Sequence, residues 1–374
     1  MNRPRTSLLL LTVAVAVMLV AGTVALRELA GGGSAVAPAE GDAVLVFAEF
    51  GRSADRIYIA PASNPSQRTL LLTAEHADGW GINPAPSMAG SLLAYVVLPP
   101  GSAGRGAPAE LWVLNLATNE RTRLARDADL FVAPVFDRDG TFVAYRSLGP
   151  DGEQRVSRAD LERGTRRVLH RYSGEFGVFP VAQGSDGVAL YIELSTAGTD
   201  LYRVDGDGNS ELLLHASDEI ARDWQLSPDG RTISFLAPEQ VGERIVHRAR
   251  LFALSGAAGE LLLASDVGEQ FAPVWGPGGT SLTVGREAYP AATAAATTVS
   301  IDDGTVTMLA APDQGFDAPL GWSHDGQYLA VRAFDGQTAF DPGTESMVVI
   351  SLDGDRRAVA GVNELIFIGW ITRG

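Results

Sequence analysis

Hydrophobic and polar residues alternate along most of this chain, in short runs broken by tight turns. The clearest run is residues 224–236, WQLSPDGRTISFL. Pro228-Asp229-Gly230 is a turn signal, because proline presets φ, aspartate bonds nearby backbone and glycine accepts positive φ. Beyond it, Ile233 and Phe235 fall on one face and Thr232 and Ser234 on the other. That is the period-two pattern of a half-buried strand leaving a hairpin. The unit recurs, with turns ending at Gly90, Gly140, Gly187, Gly230, Gly279 and Gly326, 43 to 50 residues apart. Three residues after each glycine stands an apolar side chain: Leu93, Val143, Leu190, Ile233, Leu282 and Leu329. Five after stands another: Tyr95, Tyr145, Ile192, Phe235, Val284 and Val331. An aromatic precedes the glycine by four at Phe136, Trp275 and Trp322, and a proline by six or seven at Pro84, Pro134, Pro180, Pro273 and Pro319.

Each unit continues with a second apolar strand, a short turn and a last short strand, as in Leu201-Tyr202, Asp205 to Asn209 and Leu212 to Leu214. Four strands per unit at this period predict the blade of a β-propeller. The copies WQLSPDG and GWSHDGQYLAV resemble the TolB-type, WD-repeat-like propeller repeat, whose motif runs aromatic-Ser-Pro-Asp-Gly into a strand. The resemblance extends from about Ala43 to Gly374 and speaks to architecture. It implies a role in envelope protein complexes through protein–protein contacts. TolB-type proteins also carry an N-terminal domain and usually six blades, and this sequence departs from both.

The two ends predict closure. The chain finishes ELIFIGWITRG, with Trp370 placed before Gly374 as Trp322 is before Gly326. The strand that should follow is found at the start, in Ala43–Glu49, ahead of strands near residues 56–59 and 69–72. The expected fold is all-β, a seven-bladed β-propeller over residues 43–374, closed by its N- and C-terminal strands. Such closure removes free sheet edges.

Ahead of it, residues 7–26 form an uncharged apolar run long enough to cross a bilayer as one transmembrane helix. Arg3 and Arg5 precede it, so residues 1–6 are expected in the cytoplasm and the propeller outside. A cleaved signal peptide is the alternative; its apolar part is usually shorter. Residues 27–42, rich in Gly and Ala, read as a flexible linker.

Composition narrows the chemistry. There is no Cys, hence no disulfide, no thiol nucleophile and no lipidated N-terminal Cys. All 29 basic residues are Arg, which removes the Schiff-base lysine and the GxxxxGK[ST] phosphate loop. No G-x-S-x-G elbow occurs; Gly321-Trp322-Ser323-His324-Asp325 fails that pattern and sits at a blade turn. A formal charge of −16 disfavours nucleic acid as a partner. The run Asp205-Gly206-Asp207-Gly208-Asn209-Ser210-Glu211 begins like a calcium loop, but Ser210 and Ala216 stand where an EF-hand needs Gly and Glu. A turn is the simpler reading.

Strand order places the second loop of each unit and the passage to the next unit on one face, with variable lengths. Long second loops are expected at 99–109, 237–247 and 334–344. Every passage there is acidic: Glu75 and Asp78; Asp127 and Asp129; Glu175; Asp218 and Glu219; Asp266 and Glu269; Asp313 and Asp317; Glu364. Converging, these side chains would form a negative mouth suited to cations or basic peptides. His76, His170 and His215 map to the same passages, whereas His247 and His324 read as surface residues.

The expected function is that of a membrane-tethered extracytoplasmic scaffold that binds an envelope protein or peptide, a basic one suiting the charge, with no catalysis and no cofactor. The alternatives are a metal- or carboxylate-dependent hydrolase and a glycan or small-ligand binder at the acidic mouth. Calcium or another divalent cation belongs with those alternatives.

Overall fold

The computed structural model describes residues 42–83, 85–184, 187–255, 258–259 and 268–372. The expected membrane run, nearly all of its linker, Pro84 and Asp266 fall outside those residues. Among the described residues there are strands, turns and loops and no helix.

The strands form antiparallel meanders whose order follows the sequence, except that Thr293–Ala294 crosses to the next sheet and pairs parallel with Gly315–Trp322. In the first sheet, Leu365–Thr372 pairs with Ala43–Glu49, which continues into Ala54–Pro61 and Thr69–Glu75. Leu45 lies opposite Trp370 and Phe47 opposite Phe367, so the two ends of the chain meet as the repeat predicted. An eight-stranded sheet follows, made of two four-stranded meanders joined only where Ala128 pairs with Ser147. The remaining strands form four sheets, whose meanders begin with Gly177–Gln183, Arg222–Leu226, Gln270–Trp275 and Gly315–Trp322.

The turn chemistry is the same in the two best copies of the motif. Gly230 N–H donates to the Ser227 carbonyl at 2.8 Å, and Gly326 N–H to the Ser323 carbonyl at 2.9 Å. Each serine hydroxyl donates to the turn aspartate, Asp229 or Asp325, at 2.6 Å. Each hydroxyl also accepts from the residue that opens the next strand, Thr232 at 3.0 Å and Tyr328 at 2.9 Å. Both glycines sit at positive φ, 75° and 69°, where a side chain would be strained.

Packing runs from sheet to sheet. All seven residues of Ala43–Glu49 are buried, because the strand is covered on both faces. Val44, Val46 and Ala48 meet Leu93 and Tyr95 of the next sheet, while Leu45 and Phe47 meet Met347 and Val349 on the other side. The recurring tryptophans stitch neighbours together through their indole N–H groups. Trp370 donates to the Gly321 carbonyl at 2.9 Å, Trp322 to Thr283 Oγ1 at 2.8 Å and Trp275 to the Gln225 carbonyl at 3.2 Å. Trp275 and Trp370 are buried in the inter-sheet core, and Trp322 is partly buried against it.

The first strands share an irregularity. Register shifts occur between Pro180 and Ala182, Arg222 and Gln225, Phe271 and Val274, and Pro319 and Gly321. Two of these bulges hold a non-glycine residue at positive φ, Asp223 at 56° and Ala272 at 37°. Bulges bend a strand and re-aim its side chains.

One expectation on loops needs correction. Residues 237–247 do not form a long loop: Thr232–Val241 and Arg244–Ala253 stay paired through that stretch, with Pro238 opposite His247 and Val241 opposite Arg244. Only Gly242 and Glu243 remain as a turn. The polar sequence APEQVGER hid a two-stranded extension whose backbone groups are satisfied by each other.

Candidate functional site

Alternating strand direction puts the second loop of each meander and the passage to the next on one face, called here the variable face. The described acidic passage residues belong to it, but the structure gives them different fates. Asp129, Glu269 and Asp317 are buried, and each is neutralised by arginine. Asp129 meets Arg146 at 2.7 Å, Glu269 meets Arg222 at 2.8 Å, and Asp317 takes both arms of Arg356 at 2.8 Å. Burial still holds the Asp317 carboxyl above the ordinary range, against the pull of Arg356. Asp127 accepts from Arg166 at 2.9 Å and from the Tyr145 hydroxyl at 3.4 Å. Glu75, Asp78, Glu175, Asp218, Glu219, Asp313 and Glu364 are exposed. Asp266 lies outside the described residues.

The histidines are each engaged separately. His76 and Asp55 form a fully buried pair at 3.0 Å. Asp55 also accepts backbone N–H groups from Gly51 at 2.9 Å and Ile82 at 2.7 Å. The other ring nitrogen of His76 faces the Ala77 carbonyl at 2.9 Å, so both nitrogens meet acceptors and the imidazolium satisfies them. Desolvation opposes that charge, but Asp55 and the Ala77 carbonyl outweigh it, and the pKa is raised. His170 approaches Glu193 at 2.8 Å, and exposed His215 bridges Asp200 at 2.7 Å and Asp218 at 3.1 Å. His324 is exposed, as expected, and its Nε2 lies 3.0 Å from the Trp370 carbonyl. Among the described residues, no three His, Asp or Glu side chains are grouped to hold a metal ion. The Asp205 carboxylate closes its own turn, accepting from the N–H of Asp207 at 2.8 Å and of Asn209 at 2.9 Å.

One place does bring charges together. His247, expected at the surface, is half-buried, and both its backbone N–H and its Nδ1 lie 2.8 Å from Glu269 oxygens. Arg222 joins Glu269 from the neighbouring sheet, and Asp223, in the strained bulge, lies 3.6 Å from Arg222. Burial works against ionised Glu269, yet the His247 donors and Arg222 win and hold its pKa down. Asp223 moves the other way: desolvation pushes it up, opposed by Arg222 and His247. Two neighbouring carboxyls with pKa values pushed apart are the arrangement that acid–base chemistry uses. Glu269 was legible from its passage; Asp223 and His247 were not, since a bulge and a strand extension place them.

No family model and no curated relative matches the chain. Among solved structures it is similar to the β-propeller domain of the Trilobed protease from Pyrococcus furiosus, with TM-score 0.56 and 13% identity over 87% of this chain and 97% of that one. An oligogalacturonate lyase in complex with manganese aligns with TM-score 0.54 and 16% identity over 86% of each chain. TolB from Acinetobacter baumannii aligns with TM-score 0.49 and 16% identity, over 74% of this chain and 66% of that TolB, slightly under two thirds of its length. At such identities the likeness concerns the fold, which is a β-propeller with TolB proteins among its structural neighbours.

Proposed function

We infer that this β-propeller is a protein-binding scaffold of the cell envelope, held to a membrane by residues 7–26 with its propeller on the extracytoplasmic side. Its sheets are read as seven blades, the eight-stranded sheet counting as two. One observation carries the scaffold reading: the buried passage carboxylates Asp129, Glu269 and Asp317 are neutralised by arginines, while the other described ones are spread around the exposed variable face. Variable loops on a rigid frame are where recognition residues concentrate. The Ser323-His324-Asp325 sequence supports no nucleophile, because the serine hydroxyl is engaged by Asp325 inside the turn and His324 faces a neighbouring carbonyl. A chain of uronic acids such as oligogalacturonate is polyanionic, and a protein of charge −16 repels it.

A second reading, acid–base hydrolysis, is favoured by the Asp223, Glu269 and His247 cluster alone. The two readings separate in one set of measurements on the full chain. For the scaffold, site-specific crosslinking in the native envelope from positions 175, 218 and 313 yields a discrete heteromeric product, and melting is indifferent to calcium and zinc. A melting rise of several degrees that saturates with one ion and reverses on chelation, or turnover of an ester or glycoside lost in Glu269→Gln, would establish the second reading.

A further inference from the structure

The large apolar side chains left exposed are unevenly distributed. Phe131, Ile220, Tyr289, Phe340 and Val362 are in loops or passages of the variable face, Ile245 follows the Gly242-Glu243 turn of the strand extension on that face, and only Leu352 is in a turn of the opposite one. Others lie on outermost strands. Ile245 at the tip of that strand extension and Tyr289 and Phe340 in the second loops of the next two sheets are joined by a single buried carboxylate.

That carboxylate is Glu287, which has 1% of its side-chain surface exposed. One oxygen accepts from Arg244, at the start of the strand that carries Ile245, at 3.3 Å. The other accepts the Ala339 N–H, next to Phe340, at 3.1 Å. Glu287 itself is two residues from Tyr289. The loops also bond directly: Ala288 and Tyr289 N–H groups donate to the Gln337 carbonyl at 3.0 and 3.1 Å. Ordered backbone therefore presents Ile245, Tyr289 and Phe340 with 50%, 60% and 80% of their surface open. A mobile loop would gain nothing from exposing such residues, and water contact with them is unfavourable. Held apolar side chains on an outer face mark an interaction site.

Charge selects the occupant. Glu243, Asp313, Asp335 and Asp341 are exposed on or beside these loops. Arg244, exposed beside them, is tied to Glu287. We propose that Ile245, Tyr289 and Phe340, organised by Glu287, form the docking platform for a basic protein segment bearing apolar or aromatic side chains. The apolar residues fill the surface between the loops, and the acidic rim steers and orders the basic ones. This rests on the scaffold reading and gives it a place and a partner chemistry.

The test uses full-length protein in detergent micelles and a short fluorescent peptide alternating Arg with Leu and Trp. Two controls are its counterpart with Glu for Arg and a peptide of Arg and Ser. The expected result is saturable binding of the first peptide alone, weakened by salt. Tyr289→Ser with Phe340→Ser should lower affinity at least about tenfold, with an unchanged melting temperature because both side chains are exposed. Equal binding by the double variant, equal binding of the Glu peptide, or no binding by the wild type overturns the platform. If binding survives the double variant but is lost in Asp218→Asn with Glu219→Gln, the platform falls and the scaffold reading stands. The envelope crosslinking decides that reading independently.

Discussion

At the scale of single residues, the two best copies of the turn each depend on one serine hydroxyl. Ser323 is fully buried, donates to Asp325 and accepts from Tyr328 N–H, so alanine there leaves a strand N–H without its partner. Ser323→Ala should cost about 1–2 kcal/mol, read as a shift in the denaturant midpoint with an unchanged m-value. Threonine, which keeps the hydroxyl, should recover part of it. His76 is a buried residue whose titration couples to folding. Its folded pKa is raised above the ordinary value of 6.5, so its contribution is complete below that pH and disappears as the pH climbs through the raised value. Melting temperature should therefore fall from about pH 6 to pH 8.5, and His76→Gln should flatten the profile while lowering stability at pH 6 by about 3 kcal/mol. A profile unchanged by the substitution would assign the titration to another group.

At the scale of elements, alternation inside each strand told which residues meet which neighbour. Ala43–Glu49 reads AVLVFAE without polar breaks because its even-numbered and odd-numbered residues are buried against different sheets. Tyr95, Tyr145 and Phe235 are core as their register demanded, at 0%, 1% and 4% exposure. Polar extensions were less legible. In Thr232–Val241 and Arg244–Ala253 the backbone pairs on while the side chains turn polar, and hydrophobic alternation carries no signal there. His247 was misplaced for that reason, and Asp223 because a bulge breaks the period of two that decides which way a side chain points.

At the scale of the whole molecule, the two ends of the chain share one sheet. Leu365–Thr372 covers an otherwise bare edge of Ala43–Glu49 and brings Trp370 against Gly321. Ending the chain at residue 362 should remove that cover and expose a long, flat, apolar edge. The expected outcome is aggregation, or a loss of cooperative melting, seen by light scattering and calorimetry. A truncated protein that melts once, at the wild-type temperature, would show that the terminal strand is dispensable. Truncation at residue 372 should leave the melt unchanged, because the described strand is complete there.

The sequence by itself determined the repeat, its turns, the four strands of most units, the tryptophan register and the pairing of the two ends. These are local, periodic properties: φ preferences, alternation and spacing that each copy repeats. It also placed the carboxylates on one face, since strand direction follows from counting strands. Only the tertiary structure decided which of them remain available. Asp129, Glu269 and Asp317 are tied to arginines, two of them from the adjoining strand or sheet, and Glu287 joins loops whose residues are up to about fifty positions apart. Charge pairing across sheets depends on distance in space, and no local pattern encodes it.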